Sequence, residues 1–310
     1  MSTVLITGGT GMIGKRLTEL LINKGYQVII LTRGQSSVIS NLSSVSYAQW
    51  NIKKQTIDVD AIQKADHIIH LAGAGVADKR WTTKRKKEIV DSRVQSSKLI
   101  VKAVTEIPNT IKTVVSTSAI GWYGADTKDS LQNGFDEDAN ADTEFLGTTC
   151  KLWEESISAV ESVNKRLVKL RVGIVLSNAG GALAEFRKPM QMGIAAILGN
   201  GKQIISWVHV DDLCNMFIYA IEHEEMNGVF NAVAPNPVSN KTLTLTLAKI
   251  MKGNFFIPFY VPAFLLKIIL GEMSVEVLKS ATVNANKIKK AGYVFLYPTI
   301  ETALKQLFKK

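Results

Sequence analysis

Apolar and polar positions along this chain fall into blocks whose period switches between that of a buried strand and that of an amphipathic helix. Residues 4–6 are an apolar run that enters Thr7-Gly8-Gly9-Thr10-Gly11-Met12-Ile13-Gly14. Beyond the glycines, Ile13, Leu17, Leu20 and Leu21 recur on one helical face, and Gly25 stands where that helix has to end. Residues 27–31 read as a second strand. The alternation goes on with strands at 45–47 and 66–71, a long helix over about 84–107 and a strand at 113–116. A helix after Thr148 carries Cys150, Trp153, Ile157 and Val160 at helical spacing, and residues 167–172 form the next strand.

Strands alternating with helices predict an α/β fold, a doubly wound parallel Rossmann sheet with its ligand crevice at the C-terminal ends of the strands. From about Gly173 the pattern loosens, and residues 180–201, 235–271 and 285–298 read as a second, smaller unit. The expected division is a nucleotide-binding domain of residues 1–172 plus 203–233, with a C-terminal substrate lobe of 173–202 and 234–310. At 310 residues the chain is long for a single core, which agrees with two lobes.

Composition changes this picture only at its edges. Cys150 and Cys214 have neither paired nor metal-ligand spacing, and His67, His70, His209 and His223 are scattered, so no disulfide framework and no metal site is expected. No charged and apolar leader precedes the first strand, which makes the cytoplasm the expected compartment. Residues 255–270 are apolar, yet shorter than the ~20 residues of a membrane span, and they contain Pro258, Pro262 and Lys267. They are expected to be a buried helix of the lobe, with no stable span. The net charge of +10 is concentrated in Lys79-Arg80-Trp81-Thr82-Thr83-Lys84-Arg85-Lys86-Lys87. No nucleic-acid fold accompanies that run, so it reads as a solvated face able to attract anions, and no nucleic-acid partner is expected.

The glycine-rich turn carries the chemistry. A dinucleotide pyrophosphate needs backbone N–H groups at close range, and Gly8, Gly11 and Gly14 remove Cβ atoms where the chain turns and meets phosphate. Gly8 and the run Thr10, Gly11, Met12, Ile13 and Gly14 are therefore the expected pyrophosphate cradle. The second strand ends Leu31-Thr32-Arg33, without the acid that would hydrogen-bond the ribose of NAD. A guanidinium suits a 2′-phosphate, so Arg33 favours NADP(H) over NAD(H).

Further motifs follow in order. Thr7 to Gly14 resembles the TGxxGxxG of the extended short-chain dehydrogenase/reductase superfamily, the epimerases and dehydratases of nucleotide sugars. His70-Leu71-Ala72-Gly73, Val115-Ser116-Thr117-Ser118-Ala119 and Trp207-Val208-His209-Val210-Asp211-Asp212 resemble its later elements. LAGAGVADKRW, DSRVQSS, SAIGWYG, LWEES, GGALAEF and the tail VPAFLLKIILGEMSVEVL resemble one atypical subgroup, the epimerase family proteins, some of them labelled as related to a cell-division inhibitor and all with a C-terminal domain of unknown function. The resemblance implies that Leu71, Ala72 and Gly73 pack on the adenine ribose and that Lys151 bonds the nicotinamide ribose. It also implies that Asn51 meets the adenine amine and that Ser118 ends the active-site strand.

The family's proton-transfer pair is YxxxK, and here the matching stretch is Phe145-Leu146-Gly147-Thr148-Thr149-Cys150-Lys151. Glycine has no proton to exchange. Losing the principal acid–base group slows a ketone reduction by roughly a hundred- to ten-thousand-fold unless another group replaces it. Tyr123, on the loop leaving the active-site strand, is the candidate replacement, with packing under the lobe as its other role. Arg93 stands where the family has an asparagine and either faces the cofactor cleft, clamping a carboxylate or phosphate, or pairs with Asp91 or Glu154. Trp122, Trp207 and His209 are the candidate substrate-side residues.

The expected function is an NADP(H)-binding oxidoreductase acting on a small polar or sugar-like substrate. Its alternative is a non-catalytic NADP(H)-binding regulator or division-related protein. The long helices carry lysine-rich faces that disfavour a dry dimer interface, which points to a monomer.

Overall fold

The computed structural model describes residues 2–34 and 43–308. The first half winds as β1 (Thr3–Thr7), α1 (Met12–Asn23), β2 (Gln27–Thr32), β3 (Val45–Asn51), β4 (Thr56–Ile57), α2 (Val59–Lys64), β5 (His67–His70), α3 (Thr83–Glu106) and β6 (Thr113–Ala119). Then follow α4 (Lys128–Asn133), α5 (Phe145–Ser158), β7 (Arg166–Val172), β8 (Ile174–Leu176), α6 (Ala182–Gln191), β9 (Ile194–Leu198), β10 (Ile204–Ile205), β11 (Trp207–His209) and α7 (Val210–Glu222). The chain closes with β12 (Gly228–Ala232), β13 (Val238–Ser239), α8 (Asn240–Lys252), β14 (Ile257–Val261), α9 (Ala263–Leu270), α10 (Ser274–Leu278), α11 (Asn286–Lys290) and α12 (Ile300–Leu307).

Eight strands form one sheet in the order β12-β7-β6-β5-β1-β2-β3-β4, parallel except where the short β4 turns back on β3. From β1 the chain runs to β2 and β3 on one side and to β5, β6 and β7 on the other. The strand order therefore reverses between β1 and β5, where a doubly wound sheet opens its crevice. The strands are continuous apolar runs because both faces are covered. Val4, Ile6, Val115 and Val168 pack with Leu17, Leu21 and Phe217 on one face, and Leu5, Ile68 and Val114 pack with Leu99, Ile100 and Ile157 on the other. The smaller C-terminal lobe has its own core, in which Trp207 meets Leu183, Leu243, Leu247 and Leu304.

Local chemistry sets the element ends. Gly25 has φ +86° just beyond α1, conformational freedom that a residue with Cβ lacks. Thr82, Ser239 and Thr299 cap α3, α8 and α12 by accepting from Arg85, Thr242 and Thr302 N–H. Residues 255–270 depart from the expected buried helix. They form β14, which pairs with β9 in a two-stranded sheet, and the short helix α9, and of that helix only Leu266 is buried. Pro258 and Pro262 break the segment before a long helix can form, and most of its apolar side chains, Phe256 and Leu266 apart, stay at the surface.

Candidate cofactor and active site

The site is built on close approaches that only glycine allows. A Cβ at Gly14 would lie 2.5 Å from Gly8 O and from Gly9 Cα, and one at Gly8 would lie 3.1 Å from Ala72 N. The turn after β1 is thus pressed onto the start of α1 on one side and onto the turn after β5 on the other. Gly11 N donates to Gly8 O (3.0 Å), and Gly11 is the N-cap of α1 with no side-chain cap and no acid in the first turn. The next amides, of Met12, Ile13 and Gly14, lack intrahelical acceptors and carry the positive end of the helix dipole. Such a cradle fits a pyrophosphate. The Met12 thioether also reaches the lobe, 3.3 Å from where a Cβ would stand at Gly181.

Thr7 joins the two turns. Its Oγ1 accepts from Leu71 N (3.1 Å) and Ala72 N (3.2 Å) and bonds His70 Nδ1 (2.7 Å). The opposite nitrogen of His70 faces the Ser96 hydroxyl at 3.2 Å. Full burial pushes this imidazole down to about 4, so it is neutral at physiological pH. The unfolded chain binds the proton more tightly, so His70 leaves stability intact above its ordinary pKa of 6.5 and erodes it as pH falls from there toward 4. Between pH 7 and pH 5 this one group is expected to remove roughly 2 kcal/mol. Urea unfolding of the parent and of His70→Gln at both pH values checks it: the parent loses more, and equal slopes would refute the assignment.

Arg33 is exposed at the end of β2 with no ion pair among the described residues. The Asn51 side chain accepts from Lys54 N (3.0 Å) and so closes a turn. Arg93 pairs with neither acid considered for it: Asp91 is held by Lys87 and Glu154 by Arg171. Instead its guanidinium donates to the carbonyls of Ala74 and Ile89 (3.0 Å each), rests 4.9 Å from the Trp153 ring centre, and lies against Gly73. Burial lowers its pKa from the ordinary value. This is a cation without an acid, beside the turn that leads from β5.

Strand register brings together a group the motif reading missed. Ser118 on β6, Arg171 on β7 and Asn231 on β12 are direct neighbours in one row at the C-terminal end of the sheet. Glu154 of α5 lies over this row, accepting from Ser118 Oγ (2.6 Å), Arg171 Nε (2.8 Å) and Arg171 Nη2 (3.1 Å). Arg171 stacks on Trp122 with 3.7 Å to the ring centre and donates to Tyr123 Oη (3.0 Å). Tyr123 in turn donates to Asn231 Oδ1 (2.6 Å) and stacks on Phe135. The detectable signal was Arg171 between Leu170 and Val172, a charge at a buried position near the C-terminal end of β7.

Four expected residues are buried, Ser118 among them with its hydroxyl committed to Glu154. Tyr123 is fully buried, its hydroxyl is committed to Asn231 and Arg171, and burial raises it to about 12, against the pull of Arg171. That makes it a packing and hydrogen-bonding group, not a free acid. Trp207 is in the lobe core with its N–H on Asn236 O (3.0 Å). His209 is buried as well: its Nδ1 accepts from Asp211 N (3.0 Å), capping α7, and its Nε2 faces Gln306 Oε1 (2.9 Å). Trp122 is half-buried and donates to Ala139 O (2.8 Å).

On α5, Lys151 is exposed and enters no ion pair among the described residues, whereas Cys150 is buried and its thiol is pushed up to about 12 by burial. A Cβ at Gly147 would collide with the carbonyl oxygen and Cβ of Asp142. The place four residues before Lys151 is therefore closed by backbone as well as empty of side chain.

These features define a dinucleotide-binding protein built on a doubly wound sheet. Residues 4–232 match the NAD dependent epimerase/dehydratase family, and the chain belongs to that family. Residues 261–307 match a domain of unknown function, DUF1731. The epimerase family protein YfhF of Bacillus subtilis is 33% identical over 98% of this chain and 97% of its own length. SAR0825 of Staphylococcus aureus, also an epimerase family protein, is 34% identical over the whole of both chains. Among solved structures, the human epimerase family protein SDR39U1 (isoform 2) with NADPH superposes with a TM-score of 0.85 at 26% identity, covering 99% of each chain. MoeE5, in complex with UDP-glucuronic acid and NAD, shares the fold at a TM-score of 0.79 and 18% identity, covering 99% of this chain and 98% of its own.

Proposed function

We propose that this protein is an NADP(H)-binding oxidoreductase of the epimerase type, acting as a cytoplasmic monomer on a small polar or sugar-like substrate. The observation that carries the reading is the uncapped, acid-free start of α1 in a glycine cradle that admits no Cβ at Gly14. The NADPH held by the human relative supports the choice of cofactor. When bound, the nicotinamide supplies hydride exchange. The amides from Met12 to Gly14 hold the pyrophosphate, with Gly8, Thr10 and Gly11 shaping the turn. Arg33 takes the 2′-phosphate, Leu71, Ala72 and Gly73 bound the adenosine side, and Asn51 presents its amide group at the outer end. Lys151 binds ribose hydroxyls, a role that needs no proton transfer. Ser118, its hydroxyl on Glu154, is the proposed active-site serine at the end of β6, and Arg93 is proposed to hold an anionic group of the ligand.

A specific observation favours a second reading. Gly147 is walled by Asp142, and the Tyr123 hydroxyl is committed to Asn231 and Arg171, so neither position considered for the ordinary tyrosine acid offers a free phenol. The chain then binds NADP(H) without turning it over and acts as a regulatory or division-related protein. Thermal shift with NADPH and NADH, on the parent and on Arg33→Ala, tests the cofactor. The variant is expected to bind NADPH roughly ten- to a hundredfold more weakly, the value of one or two charge-assisted bonds, and to bind NADH as before. An equal response of the parent to both coenzymes would overturn the NADP assignment. NADPH absorbance against a panel of carbonyl substrates separates catalysis from binding alone.

A further inference from the structure

The C-terminal lobe exposes apolar side chains that its own core does not use. Phe255 is 88% exposed, Ile257 71%, Phe264 66% and Ile268 65%, with Met192 and Phe259 exposed beside them. They lie on the parallel pair of β9 and β14, at its ends, and on α9, which follows β14 after Pro262. Large apolar side chains exposed together on successive elements mark a place where something binds.

The basic run at residues 79–87 is part of the same face. Arg80 Nη2 donates to the carbonyl of Ile268 in α9 (3.2 Å), and Lys86 is ion-paired with Glu272 just beyond that helix. Arg85 holds the local acids Asp78 and Glu88. Lys79, Lys84 and, within α9, Lys267 are exposed and carry no salt-bridge partner among the described residues. We propose that this combined apolar and cationic face docks on an anionic lipid bilayer, α9 and β14 entering the headgroup boundary while the lysines meet lipid phosphates.

Charge selects the occupant. A second copy of this chain would bring the same unpaired lysines and the same +10 net charge against themselves. Strand addition is also disfavoured. Ile257 N donates to Gly193 O and Val261 O accepts from Gly199 N, so the odd positions of β14 face β9. Pro258 therefore falls on the free edge, where it offers no N–H to an incoming strand. An anionic membrane supplies both missing partners: each lysine near such a surface is worth about 1 kcal/mol, and apolar side chains gain burial at the interface. No described helix is long and apolar enough to cross the membrane, so the contact is superficial.

The full-length protein is tested by flotation with vesicles of phosphatidylcholine alone and of phosphatidylcholine with phosphatidylglycerol in two-to-one proportion, at low and high salt. Binding to the anionic vesicles at low salt, falling on the order of tenfold with salt or with neutral lipid, is the expected result. The double variant Phe264→Glu and Ile268→Glu is expected to lose on the order of a hundredfold in partitioning, with unchanged circular dichroism and melting temperature as the folding control. Failure of the parent to float with anionic vesicles, or equal flotation of the folded variant, would overturn the proposal. So would sedimentation showing a dimer that the variant dissociates, because the face would then belong to a second copy.

Discussion

Gly14→Ala is expected to abolish measurable NADPH binding and to destabilise the fold by about 2 kcal/mol, although alanine is the better helix former by about 1 kcal/mol. The sign is set by the neighbours. The added methyl would meet Gly8 O and Gly9 Cα at 2.5 Å and Gly9 C at 2.7 Å, all of them backbone atoms that cannot swing aside. The turn after β1 has to move, and with it the amides at the head of α1. Each hydrogen bond to a charged group is worth about 1.5–3 kcal/mol, so losing two weakens the coenzyme by at least roughly a hundredfold. Gly34→Ala is the control, since a Cβ there meets nothing within 4 Å among the described residues. Calorimetric titration with NADPH and urea unfolding measure the two effects. Ordinary binding by Gly14→Ala would mean that the pyrophosphate lies elsewhere.

The second large effect is at the buried ion pair. The side chains of Arg171 and Glu154 are 3% and 7% exposed, and Arg171 also satisfies Tyr123 Oη and Glu137 O. Arg171→Met leaves the Glu154 carboxylate buried without its counter-ion, which costs roughly 3–5 kcal/mol, far more than a surface pair. The paired replacement of Glu154 by Leu with Arg171 by Met is expected to cost markedly less than the sum of the single changes, because no uncompensated charge remains. Urea unfolding of the four proteins measures the coupling. A single variant within 1 kcal/mol of the parent (about the value of an exposed pair) would show that water reaches this row.

Much of the fold was legible because buried parallel strands are unbroken apolar runs. The strand expected at 27–31 is β2 at Gln27–Thr32, and the helix expected over 84–107 is α3 at Thr83–Glu106. Where a cap is weak the reading slipped. The helix α5 begins at Phe145, before Thr148, since Glu144 makes no side-chain cap and Gly147 interrupts the helical pattern. At residues 255–270 apolar composition suggested burial, but two prolines and a lone partner strand leave the segment outside. The glycine cradle could be read because its chemistry is local, within eight consecutive residues. The row of Ser118, Arg171 and Asn231 could not, since its members are 53 and 60 positions apart and meet only through strand register.

The carbonyl of Asp142 at the flank of α5 has a consequence for anyone engineering this scaffold. Installing a phenol at position 147 is a problem of loop remodelling before it is a problem of residue choice. The stretch from Glu137 to Thr143 would need a new path first, and that path also carries the Glu137 contacts that hold Arg171 and Asn231. A side chain at position 147 and the present course of residues 137–143 are thus coupled through one length of main chain.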